Sequence, residues 1–121
     1  MIDHFEIKVR NLQISKDFYT SFLSPLGYKL AFRSSSLLSF VAPNSSHPGG
    51  DFWLGEGEQS PIHFAFLAEN HEQVQACYDA GLKAGGKDNG APNYRGNLSS
   101  YYAAFVLDPD GNNVEAVCHK E

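Results

Sequence analysis

The chain predicts an α+β fold: two paired βαβββ modules forming a curved mixed sheet around a cleft, with the helices outside. Three observations predict it. Short runs of alternating or apolar residues read as strands, and two stretches of helical period each follow one such run. The second half then repeats the first at a constant offset of 59 residues. His4 falls on His63, Phe5 on Phe64, Ile7 on Phe66, Asn11 on Asn70, Tyr19 on Tyr78, Leu23 on Leu82 and Gly27 on Gly86. The period is longer than that of most solenoid repeats and there are only two copies, so the repeat is a duplicated unit rather than an array.

Taken in order, Ile2 to Val9 alternates, with Phe5, Ile7 and Val9 on a packed side and His4, Glu6 and Lys8 on the other. Asn11 caps a helix whose apolar stripe is Ile14, Phe18, Tyr19, Phe22 and Leu23, and Pro25 and Gly27 end it. Tyr28–Arg33 and Leu37–Ala42 form a hairpin across Ser34–Ser36. A turn-rich loop leads to the short aromatic strand Asp51–Gly55. The second unit opens with the strand Ile62–Leu67 and the helix His71–Lys83, whose stripe is Val74, Cys77, Tyr78 and Leu82. Lys87–Tyr94 is a strand or an extended loop. The closing stretch YYAAFVLDPDGNNVEAVCH is a hairpin, with a type I turn at Asp108–Gly111 where proline and glycine take their preferred positions. The whole is one domain, residues 1–121, with module 1 at 1–59 and module 2 at 60–121.

Composition narrows the functions. An apolar content of 42% with nine Phe and six Tyr belongs to a globular chain. The net charge of −5 is scattered, with no Lys/Arg cluster, so nucleic acid and anionic membrane are poor partners. No apolar run reaches the ~20 residues of a membrane span. The N-terminal stretch enters a strand pattern without a signal peptide, and Cys77 and Cys118 lack CxxC spacing, so reduced thiols in a cytoplasmic protein are the expectation.

The chemistry starts from Glu115, a carboxylate flanked by Val114, Ala116 and Val117. Burying its charge is costly without a cation or hydrogen-bond donors. If Phe5–Ile7 and Phe64–Phe66 face the helices, His4 and His63 face the cleft, and pseudo-twofold symmetry turns them towards each other. Two imidazoles and one carboxylate make a ligand set for a divalent metal such as Zn, Ni, Fe or Mn, with positions left open for substrate. Trp53, Arg95 and Tyr102 are the candidate substrate-facing residues, with Trp53 either stacking on a planar ligand or filling the space between the modules, and Arg95 either binding an anion or standing as a solvated loop charge. Tyr101 and Tyr102 point to opposite faces, so one of them is core. His47 and His71 are expected to be exposed.

The segments IDHFEIKV with its helix up to LSPLGY, then PIHFAFLA, then YYAAFVLDPDGNNVEAV, resemble the vicinal oxygen chelate superfamily over most of the chain. That superfamily groups glyoxalase I, bleomycin-resistance proteins, fosfomycin-resistance transferases and extradiol dioxygenases. DPDGNNVE is the most specific piece. The resemblance implies paired βαβββ modules, a metal held by His4, His63 and Glu115, Lewis-acid chemistry on a small substrate with two neighbouring oxygens, and a homodimer. There are departures. The fourth ligand of glyoxalase I-like members, a glutamate on the last strand of the first module, has Trp53 in its place, while the 59-residue offset sets Glu56 against Glu115. Without that glutamate, glyoxalase I itself is disfavoured. The extra histidine of extradiol dioxygenases and the cationic cluster of the transferases are also lacking.

Two functions follow. The first is a metal-dependent lyase, isomerase or oxygenase, with Glu115 or water on the metal moving the proton. The alternative is a non-catalytic small-molecule binder of the bleomycin-resistance type, with Trp53 and Tyr102 as aromatic walls.

Overall fold

The computed structural model describes residues 2–58 and 60–121; the junction drawn between the modules, at residue 59, lies outside them. In the first half, β1 (Phe5–Val9) leads to α1 (Leu12–Leu23), a short 3-10 turn (Ser24–Leu26), β2 (Lys29–Arg33), β3 (Leu37–Val41) and β4 (Phe52–Glu56). The second half repeats the order with β5 (His63–Leu67), α2 (His71–Lys83), β6 (Lys87–Tyr94), β7 (Tyr102–Leu107) and β8 (Asn113–Cys118). Each half is a separate four-stranded mixed sheet, in the order β1-β4-β3-β2 and β5-β8-β7-β6. The first and last strands of each run parallel and the others antiparallel. This is the duplicated βαβββ plan.

Equivalent asparagines start the two helices. Asn11 accepts from the amide of Ile14 and Asn70 from that of Gln73, at 3.0 and 2.8 Å, each cap contributing about 1 kcal/mol. In α1 the buried face is Leu12, Ser15, Phe18, Tyr19, Phe22 and Leu23. Ile14, assigned to the stripe, is half exposed, and Ser15 takes that side, directing its hydroxyl to Asp110. The glycines also divide their roles. Gly27 and Gly85 supply the left-handed conformation after each helix. Gly86, the sequence match of Gly27, is instead a close-packing point where a Cβ would stand 2.5 Å from Val106 and 2.6 Å from Phe18.

The Lys87–Tyr94 stretch is a strand with two register irregularities, and its position at the sheet edge explains why Pro92 is tolerated there. The Asp108–Gly111 turn forms as its residues dictate, the Gly111 amide donating to the Asp108 carbonyl at 3.0 Å. Its side chains also lock the halves together. Tyr19 on α1 donates to the buried Asp108 carboxylate at 2.5 Å, which also accepts from the amides of Asp110 and Asn112 and from the Asn112 side chain.

One hydrophobic core runs through both halves. Ile7, Val9, Phe52 and Leu54 of the first sheet join Phe66, Val106, Val114 and Ala116 of the second. Phe5 packs edge-on against Phe64 at 5.5 Å and Phe52 against Phe66 at 5.3 Å. The two sheets therefore share a core through their helix-bearing faces. Cys77 and Cys118 are free thiols, both buried. No described helix is long and apolar enough to cross a membrane.

Candidate functional site

Strand alternation decides which side chains leave the shared core. In β5, Phe66 is buried while His63, Ala65 and Leu67 are exposed. Ala65 pairs with Glu115 on β8, and Glu115 with Phe105 on β7. Cross-strand partners share a face, so His63, Glu115 and Phe105 stand together. Glu115 is only 2% exposed. Its Oε1 lies 3.1 Å from Nε2 of His63, and its Oε2 accepts from the Tyr101 hydroxyl at 2.8 Å.

The other nitrogen of His63 fixes the chemistry of this pair. Nδ1 lies 2.9 Å from the carbonyl oxygen of Asn113, which can only accept, so Nδ1 carries the hydrogen. In the neutral ring Nε2 then presents a lone pair to a carboxylate oxygen. Two electron-pair donors 3.1 Å apart repel unless a proton on Nε2, making the ring an imidazolium, or a metal ion joins them. Ligands at about 2.0–2.1 Å from a divalent ion stand roughly 3 Å apart when adjacent in its shell, so the donor set fits such an ion.

Tyr101 and Arg95 complete this face. The bond to Glu115, then desolvation, raise the Tyr101 phenol above its ordinary pKa and keep it a donor. Arg95 lies over the Phe105 ring at 4.9 Å and donates to the carbonyls of Ala91 and Ala103. Its Nε is buried with no hydrogen-bond partner among the described residues. Tyr102 is on the opposite side: it stacks on His71 at 4.0 Å and packs against the core. The residue that reaches Glu115 is thus Tyr101. The hairpin register was the signal for it, since the turn aligns odd-numbered residues of β7 with Glu115. His47 and His71, expected to be exposed, are both partly covered, His71 by Tyr102 and Tyr94.

On the first sheet, Glu6 pairs with Trp53 as Ala65 pairs with Glu115. Trp53 therefore occupies the place equivalent to Glu115. Glu56 pairs with Val9 and lies on the other parity, lining a separate depression at the start of α1. The 59-residue offset misplaces it because the second unit carries three more residues before its last strand. Trp53 anchors its indole N–H on the Gly50 carbonyl at 3.1 Å and lies 5.8 Å from Phe32. With His4, Phe5, Glu6 and Leu37 it lines a concavity of about 440 Å³.

His4 is held here beside Asp3 and His47. Its Nδ1 lies 2.6 Å from Asp3 Oδ2, and His47 Nε2 lies 3.3 Å from the same oxygen. Among the described residues, Asp3, His4 and His47 are the trio whose ligand atoms all fall within 4.8 Å of one another; His4, His63 and Glu115 are not such a trio. Two ligands of one ion at about 2.1 Å can be no more than about 4.2 Å apart. A single chain therefore brings His63 to Glu115 but not His4 to both. The expected convergence of the two imidazoles inside one chain is not what the fold produces, because the halves meet through their helix-bearing faces.

A structure titled a glyoxalase/bleomycin resistance protein, from Albidiferax ferrireducens, matches with 27% identity and a TM-score of 0.79, covering 95% of each chain. A putative glyoxalase from Bacillus halodurans matches with 25% identity and a TM-score of 0.71, over 97% of this chain and 94% of the other. Lactoylglutathione lyase from Agrobacterium tumefaciens, 16% identical with a TM-score of 0.72 over 97% and 92%, shares the fold. No protein of curated function gives a match. The model of one family matches residues 1–116, and the chain accordingly belongs to the Glyoxalase/Bleomycin resistance protein/Dioxygenase superfamily.

Proposed function

We propose that the chain is a homodimeric, metal-dependent enzyme of the lyase, isomerase or oxygenase type, acting on a small vicinally oxygenated substrate. The metal ligands are His63 and Glu115 of one copy and His4 of the other. The observation that carries this reading is His63 Nε2 set 3.1 Å from the buried Glu115 carboxylate, with Nδ1 already held by a carbonyl, a donor pair that a divalent cation can bridge. Zn, Ni, Fe or Mn suits the two-imidazole, one-carboxylate set. Bound there, the ion supplies Lewis acidity to the substrate oxygens.

The chain's own residues do the rest. Glu115 is the carboxylate placed to take up and return a substrate proton. Tyr101 donates to its second oxygen and holds its orientation. Arg95, tied to two carbonyls above Phe105, is a fixed positive charge beside them. Trp53 offers a flat wall next to His4. A reducing, cytoplasmic setting accords with two free thiols.

Elemental analysis of protein purified without added metal, combined with sedimentation, tests the reading. The expected result is about one ion per chain in a twofold dimer. A protein that takes up no metal under any loading overturns it.

One observation favours a second reading. Trp53 takes the position equivalent to Glu115 and lies near Phe32, an arrangement suited to holding a flat ligand without chemistry. Tight binding of aromatic ligands that His63→Ala leaves unchanged would select it.

A further inference from the structure

The Asp3–His4–His47 cluster has the composition of a metal site, and its hydrogen bonds say otherwise. The backbone N–H groups of Gly49 and Gly50 both point at Nδ1 of His47, at 3.0 and 3.1 Å. That nitrogen is an acceptor twice over and carries no hydrogen. The neutral ring must then be protonated at Nε2, the atom 3.3 Å from Asp3 Oδ2. A nitrogen bearing a hydrogen cannot ligate, so His47 is a donor to the carboxylate.

The same carboxylate oxygen lies 2.6 Å from His4 Nδ1. An ionised carboxylate only accepts, so in the neutral ring the hydrogen of His4 sits on Nδ1 and Nε2 is left bare. His63 reaches the same tautomer by another route, through the Asn113 carbonyl. The two equivalent imidazoles thus show the same bare nitrogen, one fixed by backbone and the other by a side-chain relay.

We infer that Asp3 and His47 are positioning residues for His4: His47 donates to Asp3, Asp3 accepts from His4 Nδ1, and His4 Nε2 is thereby presented as a metal ligand. Ligating histidines are commonly oriented by a carboxylate on the far nitrogen, and losing that partner costs about 10–100-fold in affinity. The inference rests on the reading of His4 as a ligand from one copy of the dimer. It extends that reading to two residues outside the ligand set, one of them, His47, in a loop 43 positions along the chain from His4.

The test begins on metal-free protein, where nitrogen NMR reports which ring nitrogen of His4 carries the hydrogen at pH 8. The expected native form is Nδ1-protonated. Asp3→Ala should shift the ring towards the Nε2-protonated form and weaken zinc binding by about 10–100-fold. Asp3→Asn retains an acceptor oxygen and should restore most of the tautomer preference. His47→Ala should loosen Asp3 and give a smaller change in the same direction. All three positions lie at the surface or in a loop, outside the shared core. A His4 tautomer that is unchanged in Asp3→Ala overturns the inference directly. A tautomer that moves as expected while His4→Ala leaves zinc binding intact overturns it differently, through failure of the ligand reading rather than of the relay.

Discussion

Tyr19 and Asp108, 89 positions apart, share a buried hydrogen bond that ties the first helix of one half to the last turn of the other. Its neighbours reinforce it, since Arg10 and Ser15 both reach Asp110 in the same turn. The turn of DPDGNNVE, the most specific piece of the sequence resemblance, is in this structure a joint between halves as much as a hairpin turn. Its removal should be costly. Tyr19→Phe keeps the ring against Phe18 and Phe52 and removes one donor from a buried carboxylate. A loss of about 1.5–3 kcal/mol is expected in urea unfolding, with the midpoint shifted and the slope unchanged.

Adjacent glycines should respond very differently to the same substitution. At Gly86 an added Cβ would meet Val106, Phe18 and the Gly81 carbonyl at 2.5–2.8 Å. Gly86→Ala is expected to cost about 1–3 kcal/mol through overpacking of the helix–sheet contact. At Gly85 nothing lies within 4 Å, but φ is +97°. Gly85→Ala should therefore cost only the conformational strain, about 1 kcal/mol. Thermal melts of the two variants side by side check the ranking.

Alkaline pH should weaken the fold. Burial pushes the Cys77 thiol up to about 12. Desolvation, followed by the Asp108 charge, pushes the Tyr19 phenol well above its usual range. Both groups ionise more easily in the unfolded chain, so that state sheds protons first as pH rises. The stability linked to Cys77 is complete below its unfolded pKa, about 8.5. It declines by about 1.4 kcal/mol per pH unit until the folded pKa is reached. Urea unfolding at pH 8, 9 and 10 should follow this slope, and Cys77→Ala should flatten it between pH 9 and 10.

The face around Glu115 gives a graded prediction. Glu115→Gln keeps the shape but removes the anion beside His63, and zinc binding measured by competition with a chelator should fall by more than about 100-fold. Tyr101→Phe leaves the carboxylate and removes only its orienting donor, for an expected loss of about 10-fold. Equal losses in the two variants would count against Glu115 as the ligand and Tyr101 as its support.

Much of this was legible in the chain. The duplication shows at a single offset because the spacing from His4 on the first strand stretch to the start of α1 at Leu12 equals that from His63 to the start of α2 at His71. Trp53 and Glu56 were harder to assign, because the unit gains residues between β5 and β8 and a constant offset then drifts off the strand register. Tyr101 and Tyr102 could not be told apart by alternation alone, since parity gives two faces without naming them. The register against Glu115 does name them. The partnership of Asp3 and His47 with His4 was not legible because it depends on how the loop between β3 and β4 folds back, and no local periodicity encodes that. The side on which the halves meet is likewise a property of packing. Phe5, Phe52, Phe64 and Phe66 read as apolar in any arrangement, and only their contacts show that they face one shared core.

That His4 stands apart from His63 and Glu115 within one molecule has a kinetic and an analytical meaning. Any ion that takes both imidazoles must draw them from two molecules, so its retention follows protein concentration as an association equilibrium does. Dilution alone would strip such an ion, without acid or chelator. Assays run at nanomolar and micromolar protein would then describe two differently loaded species of the same chain.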